Sequence, residues 1–313
     1  MMEREDSYLA VFTITTSNRS TLLSTVASIC CGVQHENIFI NFIFDKKSNF
    51  NTKNFHNIKE LLQEKNINYQ ILIKEFKGIA HARNYGFKNC NTHFHIFIDD
   101  DVILSTCLIS VLKNILKKQY QYKIMFIPKH KEYIDSIDYN PHKIYIKSIN
   151  KKMLRLDPYY RNTCKVFEIK KLQRLRWITC IGRCIILYTP YLKSKANLDR
   201  FDESFNGWGV EDIEYGYRQQ KTGTKIKTIP ISCIHMYHKI AHSHLEELKA
   251  NLFLFEGKYP TSFSPVGYRL FTFGKLTLLT WSKIEDALLL QNKKDFYYMN
   301  PHVTGKSEKK WHS

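Results

Sequence analysis

In the first hundred residues, short apolar runs alternate with segments whose apolar positions recur at helical spacing. The runs "YLAVFTITT", "NIFINFIF", "YQILIKEF" and "HFHIFI" are rich in β-branched and aromatic residues and predict strands. Between them, Leu22, Val26 and Ile29 predict a helix after Ser20, which is placed to cap it, and Ile58, Leu61 and Leu62 predict a second. "GIAHARNYGFKNC" predicts a third, starting after Gly78. Strands alternating with helices build βαβ units, so the expected fold class is α/β, with a Rossmann-like, mostly parallel central sheet flanked by helices. From Gln119 to Arg176 the pattern is irregular, with Pro141 and Pro158 among Tyr, Lys and Asn, and reads as an excursion between two halves of one domain. "RWITCIGRCIILY" predicts a further strand. From Ser243 the chain reads as helical, with Leu245, Leu248, Leu252 and Phe255 on one face, and the tail "GKSEKKWHS" is expected to fray. The expected organisation is residues 1–118 as one half of a domain, 119–242 as its second half, and 243–313 as a helical C-terminal extension.

Charge changes this picture. Against 29 Asp and Glu stand 47 Lys and Arg, a formal charge of +18, which suits an anionic partner such as nucleic acid, acidic lipid, acidic glycan or a phosphorylated small molecule. No apolar run reaches the ~20 residues that span a bilayer, and "MMEREDSYLAVF" lacks the apolar core of a signal peptide. The expectation is a cytoplasmic protein in peripheral contact with an anionic membrane at its inner face. "YRLFTFGKLTLLTWSKIEDALLLQNKK" suits such an interfacial contact, and equally a helix pair packed on the main domain. The eight cysteines form no CxxC pair, and read as reduced thiols rather than zinc ligands.

Ligands of parallel sheets gather at the carboxyl ends of strands. Asp45 and the run Asp99–Asp101 fall there. Three adjacent carboxylates repel one another, so a cation or hydrogen-bond donors must offset the cost. At the end of an apolar strand Asp99 and Asp101 point the same way, since side chains alternate with period two, and together could hold a hard divalent ion; the alternative is an acidic turn capping the next helix. Arg83, on the preceding helix, is placed to bind a phosphate through its two-pronged guanidinium, or is a surface arginine. Later, "FDESFNGWGVEDIEYGYR" sets Trp208 between Gly207 and Gly209 just before Glu211 and Asp212. Acids at a helix start suit its dipole, but that does not explain the ring between two glycines. Glu214 and Arg218 are spaced to pair on the helix that follows.

Taken together, "ARNYG…HFHIFIDDDV" resembles the ARN-x-G…DxD stretch of family-2 glycosyltransferases with the GT-A fold. "FDESFNGWGVEDIEYGYR" resembles the second signature of the chondroitin-polymerase-type and β-1,4-galactosyltransferase-type members, and "IHMYHK" falls where those enzymes place a metal-binding histidine. The resemblance implies a GT-A fold and a metal-dependent, inverting transfer of a sugar from a UDP-sugar donor to a hydroxyl of a glycan, lipid-linked or protein acceptor, giving a β-linkage. It implies Mn2+ or Mg2+ as cofactor, held by Asp101 and His238, with His235 as the competing ligand. Thr15, Arg19, Asp45, Arg83, Asp99 and Asp100 would bind the nucleotide sugar, although "FDKKS" departs from the family at the base contact. Asp212 would be the catalytic base, Glu211 would assist it by holding an acceptor hydroxyl, and Trp208 and Gly207 would line the acceptor site. Rival readings are a metal-dependent nucleotidyltransferase using the same acidic run, a degenerate glycosyltransferase that only binds partners, and a basic nucleic-acid-binding protein. The last lacks any recognised binding motif.

Overall fold

The computed structural model describes residues 8–299 apart from 18, 32, 34–36, 48–51, 88–91, 106, 134–153, 192–199 and 237–242. The strands are β1 (Tyr8–Thr16), β2 (Ile38–Asp45), β3 (Asn68–Lys74), β4 (Thr92–Asp99), β5 (Val102–Leu104), β6 (Ile124–Tyr133), β7 (Leu154–Leu156), β8 (Cys184–Tyr188) and β9 (Lys225–Met236). The helices are α1 (Leu22–Cys30), α2 (Thr52–Glu64), α3 (Ile79–Phe87), α4 (Leu108–Leu116), α5 (Pro158–Thr163), α6 (Lys165–Glu168), α7 (Glu211–Lys221), α8 (Ser243–Lys258), α9 (Phe263–Thr272) and α10 (Leu278–Met299). The chain divides into two compact units, residues 1–257 and 258–313, and α8 lies almost wholly in the first.

In the first unit one mixed sheet runs in the order β3-β2-β1-β4-β8-β6-β9-β5, with β7 added alongside β6. β3, β2, β1 and β4 are parallel, as the βαβ pattern requires. Helices cover both faces of this half, so β1, β2 and β4 read as continuous apolar runs with buried centres. Phe12, Ile40, Phe42, Phe94 and Ile96 form the core beneath α1 and α2. β3 closes the sheet as a more exposed edge strand carrying Gln70 and Lys74.

The second half of the sheet is mixed. β8 runs antiparallel to both β4 and β6, while β6 and β9 are parallel. β6 passes through the stretch that the hydrophobic pattern left irregular. Its register against β9 shifts between Ile127 and Lys129, where Pro128 has no N–H to give the ladder and Pro230 faces it from β9. The predicted strand over "RWITCIGRCIILY" is only half realised. Residues Lys170–Thr179 form a 3-10 helix that buries Trp177, and extended pairing begins at Cys184. Part of the 119–176 excursion and the tail beyond Met299 lie outside the described residues.

In the second unit α9 and α10 pack around Trp281, whose indole N–H and the Ser264 hydroxyl both donate to Glu285. Among the described residues no helix is long and apolar enough to cross a membrane.

Two buried histidines give the fold a pH signature. His95 accepts or donates a bond with Thr13 Oγ1, but neither ring nitrogen of His130 has a hydrogen-bond partner among the described residues. Burial pushes the pKa of His130 down to about 3. Between there and the ordinary value near 6.5, the unfolded chain binds a proton that the folded chain refuses. Stability is therefore present above that window and is lost on acidification, at about 1.4 kcal/mol per pH unit for each such group. His130→Leu removes this contribution together with an unpaired polar group. The variant is expected to match or exceed the native chain near neutral pH and to lose stability less steeply on acidification. Urea unfolding across that range checks this, and parallel curves for the two proteins would refute it.

Candidate active site

The site lies at the carboxyl ends of β1, β2 and β4, where α3 and α7 converge. β4 ends at Asp99, so Asp100 and Asp101 lie in a turn and the alternation of side chains stops. Each carboxylate takes its own direction and partners, which is how three adjacent charges coexist. Asp99 accepts from Arg83 Nη2 at 3.0 Å. Asp100 turns back under β1, accepting from Thr16 Oγ1 at 2.6 Å and Ser17 N–H at 3.2 Å, while its backbone carbonyl accepts from Thr21. Asp101 accepts from Arg19 and lies 3.6 Å from His235 Nε2. Burial first, then the neighbouring Asp101, lifts Asp100 to about 6.

Arg83 is the centre of the arrangement. It is 2% exposed, and its guanidinium bridges Asp99 and Glu211, each at 3.0 Å, with a longer contact of 3.4 Å to the Gly182 carbonyl. It was expected at a phosphate; its fork instead joins the end of β4 to the start of α7. Gly182 makes this possible, since a Cβ there would lie 2.3 Å from Arg83 Nη2. The Gly182 N–H donates to Asp212 Oδ2 at 2.5 Å, and Ile213 N–H donates to its other oxygen. Asp99, Glu211 and Asp212 all have raised pKa values, with burial the largest cause and Arg83 opposing it; Glu211 is raised to about 7. Glu211 Oε1 holds Arg83, while its Oε2 is buried with no hydrogen-bond partner among the described residues.

The loop before α7 is fastened at both ends. Asn84 of α3 exchanges two 2.8 Å bonds with the backbone of Phe201 and donates to Glu203. The Phe201 ring stacks on Tyr215 of α7 at 4.3 Å. Gly207 and Gly209 have φ of +74° and +89°, and Val210 follows at +77°. A β-branched residue in the left-handed region costs on the order of 1–3 kcal/mol, so its surroundings must enforce it. Trp208 is 43% exposed, and one face of its ring is stacked on His244 at 5.2 Å and 4°. Glu214 and Arg218 form the expected two-bond pair.

Most of the predicted site residues are thus gathered. Thr15 is level with Asp99 in the β1–β4 ladder, and Asp45 ends β2, accepting from Lys47 N–H. Arg19 is 40% exposed beside Asp101. His238 lies outside the described residues; His235, the competing ligand, is the histidine seen against Asp101. Sequence reasoning missed Gly182 and Asn84, whose partners are distant in the chain, and the Arg183–Asp157 pair next to them. Asn84 lies inside the ARN-x-G motif, so only its role was hidden. Replacing Arg83 by Met would leave the buried Glu211 and the partly exposed Asp99 without a counter-charge and should destabilise the fold by about 3–5 kcal/mol. Denaturant unfolding checks this, and an unchanged midpoint would show that the pair contributes nothing.

The sequence profile described as Glycosyl transferase family 2 matches residues 11–176. No curated protein matches the chain. Among solved structures, a 1–349 fragment of S. aureus TarS in complex with UDP-GlcNAc is 15% identical, with a TM-score of 0.52 over 79% of this chain and 65% of that one. A longer S. aureus TarS structure is 12% identical, with a TM-score of 0.50 over 80% and 39%. GalNAc-T7 with UDP, GalNAc and Mn2+ is 14% identical, with a TM-score of 0.50 over 96% and 59%. The chain thus spans between 39% and 65% of these structures, and the likeness is one of fold. With the family profile covering more than half of its length, the chain belongs to glycosyl transferase family 2.

Proposed function

We propose that the chain is a metal-dependent, inverting glycosyltransferase that moves a sugar from a UDP-sugar to an acceptor hydroxyl, giving a β-linkage. The observation that carries this reading is the continuity of the site: Asp99 at the end of β4 connects through Arg83 to Glu211 at the start of α7, with Asp101 two residues beyond Asp99 and Asp212 beside Glu211. A donor-binding end and a base-bearing end therefore share one cluster. UDP-GlcNAc in the TarS complex, and UDP with Mn2+ in GalNAc-T7, support a UDP-sugar donor. The "FDESFNGWGVEDIEYGYR" stretch favours chondroitin-polymerase-type or β-1,4-galactosyltransferase-type chemistry.

The residues fit a divalent cation. Asp101 and His235 offer a carboxylate and an imidazole 3.6 Å apart, a donor set that suits Mn2+ or Mg2+. Among the described residues they are not joined by a third ligand into a protein cage, so diphosphate oxygens of the donor would complete the shell. A cation bound there supplies Lewis-acid neutralisation of the departing diphosphate. Thr15, Arg19 and Asp45 would line the nucleotide pocket and Asp99 would bind the ribose, with Asp100 held beneath them by Thr16 and Ser17. Asp212, held by the Gly182 and Ile213 amides, takes the proton of the acceptor hydroxyl as that oxygen attacks the anomeric carbon. The bond from that carbon to the diphosphate breaks and UDP leaves. One base opposite the leaving group makes a single displacement, which inverts an α-linked donor to a β-product. Glu211 Oε2 and the open face of Trp208 receive the acceptor, a glycan, lipid-linked sugar or protein hydroxyl. The +18 charge favours an anionic acceptor or an anionic membrane surface that carries it.

A screen for UDP release across UDP-sugars, with and without Mn2+, is expected to find one donor that is slowly hydrolysed, with a chelator or Asp101→Ala stopping release. Asp212→Asn should keep UDP affinity and lose transfer by about 10²–10⁴-fold. Native-rate transfer by that variant would remove the base assignment. Diphosphate release from a nucleoside triphosphate, without UDP release from any sugar, would replace the reading with nucleotidyl transfer.

A further inference from the structure

The segment from Ser243 presents a different face to the site than its leucines suggest. Leu245 is exposed, and the inward stripe of α8 is His244, Glu247, Leu248, Asn251, Leu252 and Phe255. Its lower half is apolar. Leu252 and Phe255 are fully buried, and Phe255 packs edge-on against Trp177 and against Tyr217 of α7. Its upper half is polar and meets the Gly-Trp-Gly loop. Glu247 accepts from Trp208 N–H at 2.8 Å. The buried Asn251 amide nitrogen donates to the carbonyls of Gly209 at 2.8 Å and Asn206 at 2.9 Å, with a longer contact of 3.4 Å to Trp208.

We propose that Asn251 is a positioning residue for glycosyl transfer: its side-chain amide closes the 206–209 loop and so fixes where Glu211 and Asp212 begin α7. Holding the Gly209 carbonyl fixes the plane of the peptide between Gly209 and Val210. That plane sets the φ of Val210, a buried β-branched residue held at +77°. The Val210 carbonyl then accepts from Glu214 N–H at 2.8 Å, the first bond of α7, and Glu211 and Asp212 occupy the turn this bond closes. No side chain of Val210 caps the helix, so the orientation of its first turn is set by the backbone before it. α8 is suited to this because its lower half is braced against α7 and the 3-10 helix, making clamp and clamped helix parts of one packed body. The reaction named here rests on the reading given under Proposed function; the clamp itself does not.

Asn251→Leu keeps the size of the side chain and removes both donors. The expected result is a fall of about 10- to 100-fold in kcat for transfer at saturating donor and acceptor, the scale of a small misplacement of reacting groups. UDP affinity in the presence of Mn2+ should be unchanged, because the nucleotide side is built on β1, β2 and β4. Amide hydrogen exchange should quicken over residues 207–213 and stay unchanged in β1. Val210→Gly placed in the Asn251→Leu background should restore part of the kcat lost in Asn251→Leu alone, since glycine takes the positive φ without strain. Asn251→Asp, which replaces the donors by acceptors, serves if the leucine variant does not fold, with the same expectations. Unchanged kcat and unchanged exchange in a folded variant would overturn the proposal, as would a uniform rise in exchange with loss of UDP affinity. If the native chain turns over no nucleotide sugar, the transfer reading fails, while exchange over 207–213 still decides whether Asn251 sets the start of α7.

Discussion

The buried guanidinium of Arg83 is the contact on which the rest of the site depends. It joins residues 16 and 128 positions away in sequence, Asp99 at the tip of β4 and Glu211 at the start of α7. A charge buried to this degree must be paired, and the pairing must be geometrically complete. The planar fork of arginine meets two carboxylates and a carbonyl at once, which a lysine ammonium on a flexible stem would do with less definition. The fit is tight enough that the neighbouring position admits only glycine, and the backbone of that glycine in turn holds Asp212. The parallel half of the sheet and the mixed half are thus locked to each other at the site.

Two arginines do not balance the carboxyl groups gathered there. Asp99, Asp100, Glu211 and Asp212 are all raised, in each case first by burial, and Arg83 or Arg19 only partly opposes it. The chain carries +18 overall, yet this cleft is locally acidic. An acidic cleft repels a bare diphosphate, and a divalent cation between the two resolves the conflict. The same electrostatics that make the site costly to fold therefore favour a cation in the proposed reaction. The surplus of lysine lies outside this cleft, so the overall charge does not cancel its local acidity.

Sequence patterning was most informative where structure is local. The four parallel strands, the three helices between them and the position of Asp99–Asp101 follow from periodicity, because β1, β2 and β4 have buried centres and only the edge strand β3 is more exposed. β6 was hidden because Pro128 interrupts its ladder, and the reading "RWITCIGRCIILY" as strand holds only from Cys184, because Trp177 is buried by helix packing rather than by pairing. On α8, Leu248, Leu252 and Phe255 share the inward face as expected and Leu245 does not: the loop it covers needs hydrogen-bond partners, so Glu247 and Asn251 point in and Leu245 points out. The identity of the motifs was legible; the assignment of Arg83 to two carboxylates was not, since one partner depends on a contact across more than a hundred residues. Its neighbour Asn84 is the same case, because nothing near it in sequence shows that it fastens Phe201.

The two ends of the site are held by different means. On the nucleotide side, Asp99 and Asp100 are fixed by strand ends, by the threonines of β1 and α1's entry, and by Arg83, all within a continuous ladder. On the acceptor side, Trp208 and the start of α7 hang on a loop with three positive-φ residues, fastened by α3 at one end and α8 at the other. A ladder resists local change, whereas a clamped loop shifts when any one clamp is altered. Substitutions in α8 can therefore reshape what the Trp208 face receives while leaving the nucleotide side intact. In the proposed reaction, the acceptor could then vary without a rebuilt donor site.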